Sequence, residues 1–523
     1  MSGLLTEFEK RFLRFFARNS RFLLGGFCIG VLSYFMMLSL NLVNDIDGIW
    51  HLSNFIAGDW EISLGRGLQR YADRFRFGIV SDPFNSMLTL LLFELANVMI
   101  LERFSLQKGP YPWLLLTILT ANPVVCNTLT YSYMSVNFGL ACFFSVLAFY
   151  LLKTKDTWKR SLIQGSLCGA LLGISLSFYQ AYISVTAVLA LLLMIKWLGE
   201  EKKLREILEY LALFVYTVLF AGGAYLLITN GLLFRAGIRL ASYRGADGIS
   251  HSRMLLQLPA SLVKCYTETW SYFVEKKAFA NLEFIDLLLA ALAVCYLAAL
   301  GMRFFGLYRK DKKRALLFLL LVVLLPPAGC AVLLIAVGSP LSVLMSMGPL
   351  LGFSLLGILL LPHANTGFWV KRACLFFLAL FAWYQLSAVT NDQLALKEGK
   401  TATITLTENI VSRLYREGYM EKSPVVAFVG RPGDNDQFAQ STAYRMANGY
   451  AKFGCWSTDA RNNRVSWYGV TSNFLGVNIN LCGEEEYKTL IRTKQVADMP
   501  EFPAAESVCT IDGIVVVKVS DLY

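Results

Sequence analysis

Two carboxylates, Asp45 and Asp47, follow an apolar run that ends near Leu42. A few residues on stands Gly58-Asp59-Trp60-Glu61-Ile62-Ser63-Leu64-Gly65-Arg66-Gly67. Acids, indole rings and a guanidinium in this order can do more than one kind of chemistry. A carboxylate beside a substrate hydroxyl can remove its proton as that oxygen attacks an electrophilic carbon, a general-base step that contributes about 10²- to 10⁴-fold. It can instead bind a divalent cation through oxygen. Asp47 can also simply cap a helix beginning near Gly48, and its position alone leaves base and cap equally open.

Leu64, Leu68, Tyr71 and Phe75 recur at intervals of four, three and four, which predicts a helix lying along a membrane surface on one apolar stripe. Arg66, Arg70 and Asp73 then fall on its other side. A guanidinium offers a bidentate fork to phosphate oxygens, so Arg66 or Arg70 could grip the phosphate of a lipid-linked substrate or only hold the helix on anionic headgroups. The stretch Phe234 to Gly245 adds Arg235, Arg239 and Arg244, which suit an anionic lipid or phosphate partner, or a solvated loop. Asn127, Tyr131, Tyr133 and the run Ser177-Phe178-Tyr179-Gln180-Ala181-Tyr182 stand at the edges of apolar runs, where tyrosines commonly form an interface belt. Gln180 fits that explanation less well. Glu94, inside an apolar run, is expected to face a cavity or a partner.

What must position these residues follows from hydropathy. Of the 523 residues 56% are hydrophobic and 16% charged, and the mean hydropathy is +0.51. Since about 20 apolar residues span a bilayer as a helix, the chain reads as a polytopic α-helical membrane protein with about eleven spans. They are expected near 22 to 42, 84 to 102, 111 to 128, 134 to 152, 162 to 178, 180 to 197, 208 to 228, 283 to 302, 315 to 337, 341 to 361 and 370 to 389. The basic residues Lys10 to Arg21, and the short loops around Arg103, Lys155, Lys202, Arg309 and Lys371, then share the cytoplasmic side with the N-terminus by the positive-inside rule. Residues 43–83, residues 229–282 and the tail after 390 are left outside. The tail carries a helical pattern at 402 to 417, the run Pro424 to Gly430 and a β-rich run from Thr510 to Val519, which together predict a small extracytoplasmic α/β domain. The division expected is therefore 1–389 for the membrane part and 390–523 for this domain.

Other classes are excluded by what surrounds the charges. The net charge of +11 lies in short loops between apolar runs, which argues against nucleic acid. Eleven cysteines form no C-x-x-C pair, and with three histidines there is no zinc spacing. Cys455, Cys482 and Cys509 leave room for one disulfide in the tail. Gly430-Arg431-Pro432-Gly433-Asp434 lacks the lysine-serine ending of a phosphate loop and reads as a turn.

Asp47-Gly48-Ile49-Trp50, Gly58 to Arg66, Arg76-Phe77-Gly78 and Asp82-Pro83 resemble the first external loop of the bacterial Gtr type-II glucosyltransferase family, whose members modify surface glycans. Tyr131-Ser132-Tyr133 and Ser177 to Tyr182 resemble its later motifs. The resemblance implies a fold similar to the GT-C membrane glycosyltransferases. It also implies transfer of a hexose, commonly glucose, from a polyprenyl phosphate to a surface glycan on the outer face of the cytoplasmic membrane. It maps the essential acid onto Asp47, with Asp45 second, and the donor phosphate onto Arg66, with Arg70, Arg235 and Arg244 as further candidates. Trp50, Trp60, Tyr179 and Gln180 become substrate contacts. No cofactor is implied, and a divalent cation stays open. The arginine expected at the outer end of the late spans has no counterpart in Pro340 to Met347, and Arg235, Arg239 or Arg244 could substitute for it. A flippase for lipid-linked sugars or a non-catalytic assembly partner are the alternatives. Against transport, no inverted repeat or pair of Gly/Pro-broken spans relates the two halves.

Overall fold

The computed structural model describes residues 2–242, 251–274, 284–334, 340–360, 368–421 and 423–521. At 1.5 Å per residue, a helix of about 20 residues covers the ~30 Å hydrocarbon core. Seven helices among the described residues are long and apolar enough: Phe84–Arg103, Tyr111–Thr130, Trp158–Phe178, Gln180–Gly199, Leu204–Ala236, Ile285–Lys310 and Phe368–Arg416. Ser135–Leu151 and Met347–Leu360 are apolar but shorter. The chain is thus a mostly helical, multi-pass membrane protein, and several of the expected uniform spans are broken pieces instead.

Local chemistry accounts for the breaks. The run expected at 315 to 337 forms Lys312–Val323 and then the short helix Leu325–Gly329, which holds Pro326 and Pro327. Proline removes a backbone donor and starts a helix better than it continues one. Tyr111–Thr130 changes direction at Asn122-Pro123, where the Asn122 side chain caps the second half by accepting from Val125 N at 3.0 Å. Glu94 finds its partners inside the bundle, accepting from Thr120 Oγ1 at 2.5 Å and Asn97 Nδ2 at 3.2 Å.

Phe368–Arg416 runs unbroken for 49 residues, through position 390 and out of the bundle. Past its apolar half it is held on two sides. Gln393 donates to Ser33 O at 2.8 Å and accepts from Met37 N at 3.0 Å. Asp392, fully buried, accepts from Asn448 N at 3.0 Å, Asn448 Nδ2 at 2.8 Å and Tyr450 Oη at 2.5 Å. The tail beyond it contains a three-stranded sheet of β1 (Val425–Val429), β2 (Val508–Ile511) and β3 (Ile514–Lys518) in the order β1-β3-β2. β1 runs parallel to β3 and β2 antiparallel. The β-rich run at 510 to 519 is therefore the end of one strand and all of the next, turned at Asp512-Gly513, whose φ values of 50° and 81° are those of a type I′ hairpin. No disulfide forms in the tail. Cys455 pairs with Tyr444 Oη at 3.2 Å, Cys482 faces Gly483 O and Cys509 faces Met499 Sδ, so the three thiols sit in separate surroundings.

Candidate active site

The first loop folds around a buried carboxylate. Asp73, with no exposed surface, accepts from Ala57 N at 3.0 Å, Asn137 Nδ2 at 2.9 Å and Arg76 at 2.6 Å, while Arg76 also donates to Tyr133 O at 3.1 Å. A buried carboxylate is tolerable only when paired and hydrogen-bonded in this way, and both Asp73 oxygens are. The single amphipathic helix expected through Leu64 and Phe75 is instead two short ones, Asp59–Ser63 and Gln69–Phe75. Gly65 between them has φ +73°, and a Cβ there would stand 2.1 Å from Tyr225 Oη. That break turns Leu64 and Arg66 into the protein and leaves Tyr71 and Phe75 on the surface.

A cavity of about 590 Å³ opens beside this loop. Ile46, Asp47, Trp50, His51, Trp60, Glu61 and Arg66 of the loop line it, opposite Asn127, Tyr131, Tyr133 and Tyr179 at the span edges. Ser342, Leu344 and Met345 add a third wall, and Arg461, Asn462 and Val465 of the tail a fourth. The last three belong to the helix Ala460–Gly469, started by Asp459, whose side chain accepts from Asn462 N at 3.0 Å. That helix is seated on the loop by Ser466 Oγ donating to Asp45 O at 2.8 Å, and a neighbouring tail residue, Asn473, donates to Ile49 O at 2.7 Å.

Asp47 opens a one-turn helix, Asp47–Trp50, but does not cap it. Asn44 does that, its Oδ1 accepting from Gly48 N at 2.9 Å and Ile46 N at 3.3 Å. The Asp47 carboxylate makes no hydrogen bond among the described residues. Burial raises its pKa, the charge of Glu61 raises it further and Arg461 opposes both. Glu61 itself accepts from Gly58 N at 2.6 Å, so one of its oxygens is committed to starting the Asp59–Ser63 helix. Tyr133 is raised by burial and by Asp47, Tyr131 and Glu61, and lowered by Arg66, which puts these charges around one phenol. His51 meets Phe55 edge to face at 4.5 Å and the tilted Tyr133 ring at 4.8 Å, and burial lowers its pKa to about 4, leaving it neutral at neutral pH.

The other residues singled out by sequence divide into groups. Arg66 lies over the Tyr179 ring at 4.7 Å and donates to Gln180 Oε1 at 3.4 Å. Gln180 in turn donates to Leu64 O at 2.9 Å and Tyr225 Oη at 3.0 Å, so it fixes the turn carrying Arg66 and does not line the cavity. Asp45 points away from Asp47 toward the tail, accepting from Gly454 N at 3.1 Å, and burial lifts its pKa to about 7. Arg70 donates to Ala57 O at 2.9 Å and Asp59 at 2.7 Å, and with Arg74 and Arg235 it lines a separate pocket of about 220 Å³. Arg244 lies outside the described residues. Among these residues no group of three or more His, Cys, Asp and Glu side chains could hold a metal ion.

A family model, Glucosyl transferase GtrII, matches residues 35–356, more than half of the chain. The chain belongs to the GtrII glucosyltransferase family. With its long apolar helices it is an integral-membrane glycosyltransferase. The GtrII match covers every cavity residue from Ile46 to Met345, whereas Arg461, Asn462 and Val465 lie beyond it. Comparison with curated proteins and with solved structures gave no match. Sequence reasoning missed these three tail residues because the helix that carries them shows only a capping Asp459 and no apolar stripe. It treated Tyr131 and Tyr133 as interface belt because burial inside a site and burial at a headgroup give the same pattern.

Proposed function

We propose that this GtrII enzyme transfers a hexose, glucose by its family, from a polyprenyl phosphate to a surface glycan at the outer face of the cytoplasmic membrane. Asp47 takes the proton of the acceptor hydroxyl as its oxygen attacks the anomeric carbon. The bond from that carbon to the phosphate oxygen breaks, the electron pair leaves with the phosphate, and one displacement inverts the configuration. Arg66 and Arg461, on the loop and tail walls, face the charge that builds on the departing phosphate, where fixed cations are most effective. Arg461 thereby takes the part of the arginine absent from Pro340 to Met347. Trp50, Trp60 and Tyr179 supply faces for the sugar. Asp45 is a positioning residue, spent on the tail.

The observation that carries this reading is the uncommitted Asp47 carboxylate in a polar cavity, its capping duty already performed by Asn44. The outward orientation rests on the basic loops sharing one side, and the tail 390–523 then closes the cavity from outside the membrane. The test is transfer from polyprenyl-phosphate glucose by purified enzyme in nanodiscs. Asp47→Asn should cost about 10²- to 10⁴-fold in turnover and Asp45→Asn far less. Full activity in Asp47→Asn would overturn the assignment.

A further inference from the structure

The helix Ala460–Gly469 has two working faces. Arg461 and Val465, one turn apart, line the main cavity, while Arg464 and Tyr468, on the adjacent stripe, line another of about 500 Å³. Its far wall is the extended segment that pairs with β1, where Val426 N donates to Asn480 O at 2.8 Å and Cys482 N to Val426 O at 2.9 Å. Alternate residues of an extended chain face the same way. Asn478 and Asn480 therefore present both amides to one side, exposed, while Ile479 between them is buried. Tyr415, at the end of the long helix, completes the groove. Among the described residues neither amide nor the Arg464 guanidinium has a side-chain hydrogen bond or ion pair.

The two cavities meet at a ring pair. Trp50, which lines the main one, and Tyr468, which lines the second, stand 5.3 Å apart at 48°. Both rings keep exposed surface, 44% and 38%. An aromatic track thus leads from the turn carrying Asp47 to the two asparagines.

Amides that both donate and accept, a guanidinium, phenols and open ring faces suit a polyhydroxylated chain, whose hydroxyls need partners of both kinds and whose C–H faces lie flat on aromatic rings. They do not suit a polyprenyl tail, which needs a continuous apolar wall. The groove is built wholly from residues 415–481, beyond the family match, on the part of the chain that leaves the bundle.

We propose that this groove is the acceptor-glycan subsite. It holds the sugar units that flank the one receiving the hexose, and the Trp50–Tyr468 pair leads the chain to Asp47. The proposal rests on the glycosyl-transfer reading for what the bound glycan is used for, and the tail then sets which glycan is modified.

The probe is polysaccharide released by mild acid from the surface of producing cells deleted for this gene. Its binding to full-length protein in nanodiscs is measured by saturation-transfer NMR, and transfer and donor hydrolysis are followed with polyprenyl-phosphate glucose. Wild type and Asp47→Asn should bind alike. Asn478→Ala/Asn480→Ala and Tyr468→Ala should bind on the order of tenfold more weakly, as expected for two lost hydrogen bonds or a lost ring contact. Their KM for polysaccharide should rise correspondingly, with donor KM and donor hydrolysis unchanged. Tyr468→Phe, which keeps the ring, should bind nearly as wild type. Unchanged binding in groove variants that melt as wild type does would overturn the subsite. Binding lost in those variants, from a protein that transfers no hexose, would support the subsite while overturning the transferase reading.

Discussion

Gly469→Ala sets two effects of opposite sign against each other. At φ −61° and ψ −43° the Gly469 backbone is helical, and alanine is about 1 kcal/mol better than glycine in a helix interior. Propensity alone predicts a more stable protein. The added Cβ, however, would stand 2.2 Å from Ile49 Cγ2 and 3.1 Å from Ile49 Cβ. Carbon atoms prefer about 3.5–4.0 Å, so something must give by roughly 1 Å or more. Ile49 has no exposed surface to move into. Overpacking of this kind costs about 1–3 kcal/mol, enough to cancel or exceed the helical gain. The effect on rate should be larger than on stability, because the shift falls between the groups proposed to carry the reaction. Ile49 shares a turn with Asp47 and Gly469 shares a helix with Arg461, and a ~1 Å misplacement of reacting groups costs about 10²-fold. Turnover of polyprenyl-phosphate glucose in nanodiscs should therefore drop about 10²-fold, while Gly222→Ala, inside the helix Leu204–Ala236 with nothing within 4 Å of its Cβ, keeps wild-type turnover and gains melting temperature from propensity alone. A Gly469→Ala enzyme with wild-type turnover and a raised melting temperature would refute the seating of the tail on the loop that carries Asp47.

Two pH dependences follow from the same contacts. Because burial and Glu61 raise Asp47, and a base acts only when deprotonated, kcat/KM should fall on the acid side through a pKa above the usual carboxylate value of about 3.9. Glu61→Gln should move that limb to lower pH and Arg461→Ala to higher pH, and superimposable profiles for all three enzymes would exclude Asp47 as the group observed. Asp45 is raised from 3.8 to about 7, so its neutral form is the one the fold prefers; that contribution is complete below about 4 and is lost as pH rises through about 7. Asp45→Asn should therefore gain melting temperature over wild type as pH rises across that window, with turnover largely kept, and a pH-independent difference would contradict the assignment.

Most of the scaffold was legible because hydropathy reports burial in lipid directly. The runs at 84 to 102, 162 to 178 and 180 to 197 became Phe84–Arg103, Trp158–Phe178 and Gln180–Gly199 with little change. Arg66, Tyr179 and Gln180 were picked from separate stretches, and the structure brings them into one contact set. Arg66 and Arg70 looked equivalent because both lie on the polar side of an assumed helix. One left-handed residue, Gly65, destroys that helix and sends the two guanidinia to different cavities. A single positive φ leaves no periodic trace, since glycine also occurs inside helices that continue, as Gly222 and Gly223 do in Leu204–Ala236.

Asp45 and Asp47 were the hardest to separate, and the reason is geometric. Were the chain extended through both, they would share a face and a task. Instead Asn44 winds the chain into a one-turn helix at Asp47, which sends one carboxylate to Gly454 and the other into the cavity. The same three residues thus join the tail to the proposed base. Asp45 fixes where the tail sits, and the tail returns Arg461 to lower the pKa that burial and Glu61 have raised. A tail displaced by mutation should then alter the pH profile as well as the rate. In Gly469→Ala the acid limb should move toward higher pH along with the loss of turnover, since retreat of Arg461 leaves the repulsion from Glu61 unopposed. A slower enzyme with an unmoved limb would mean that Arg461 does not act on Asp47.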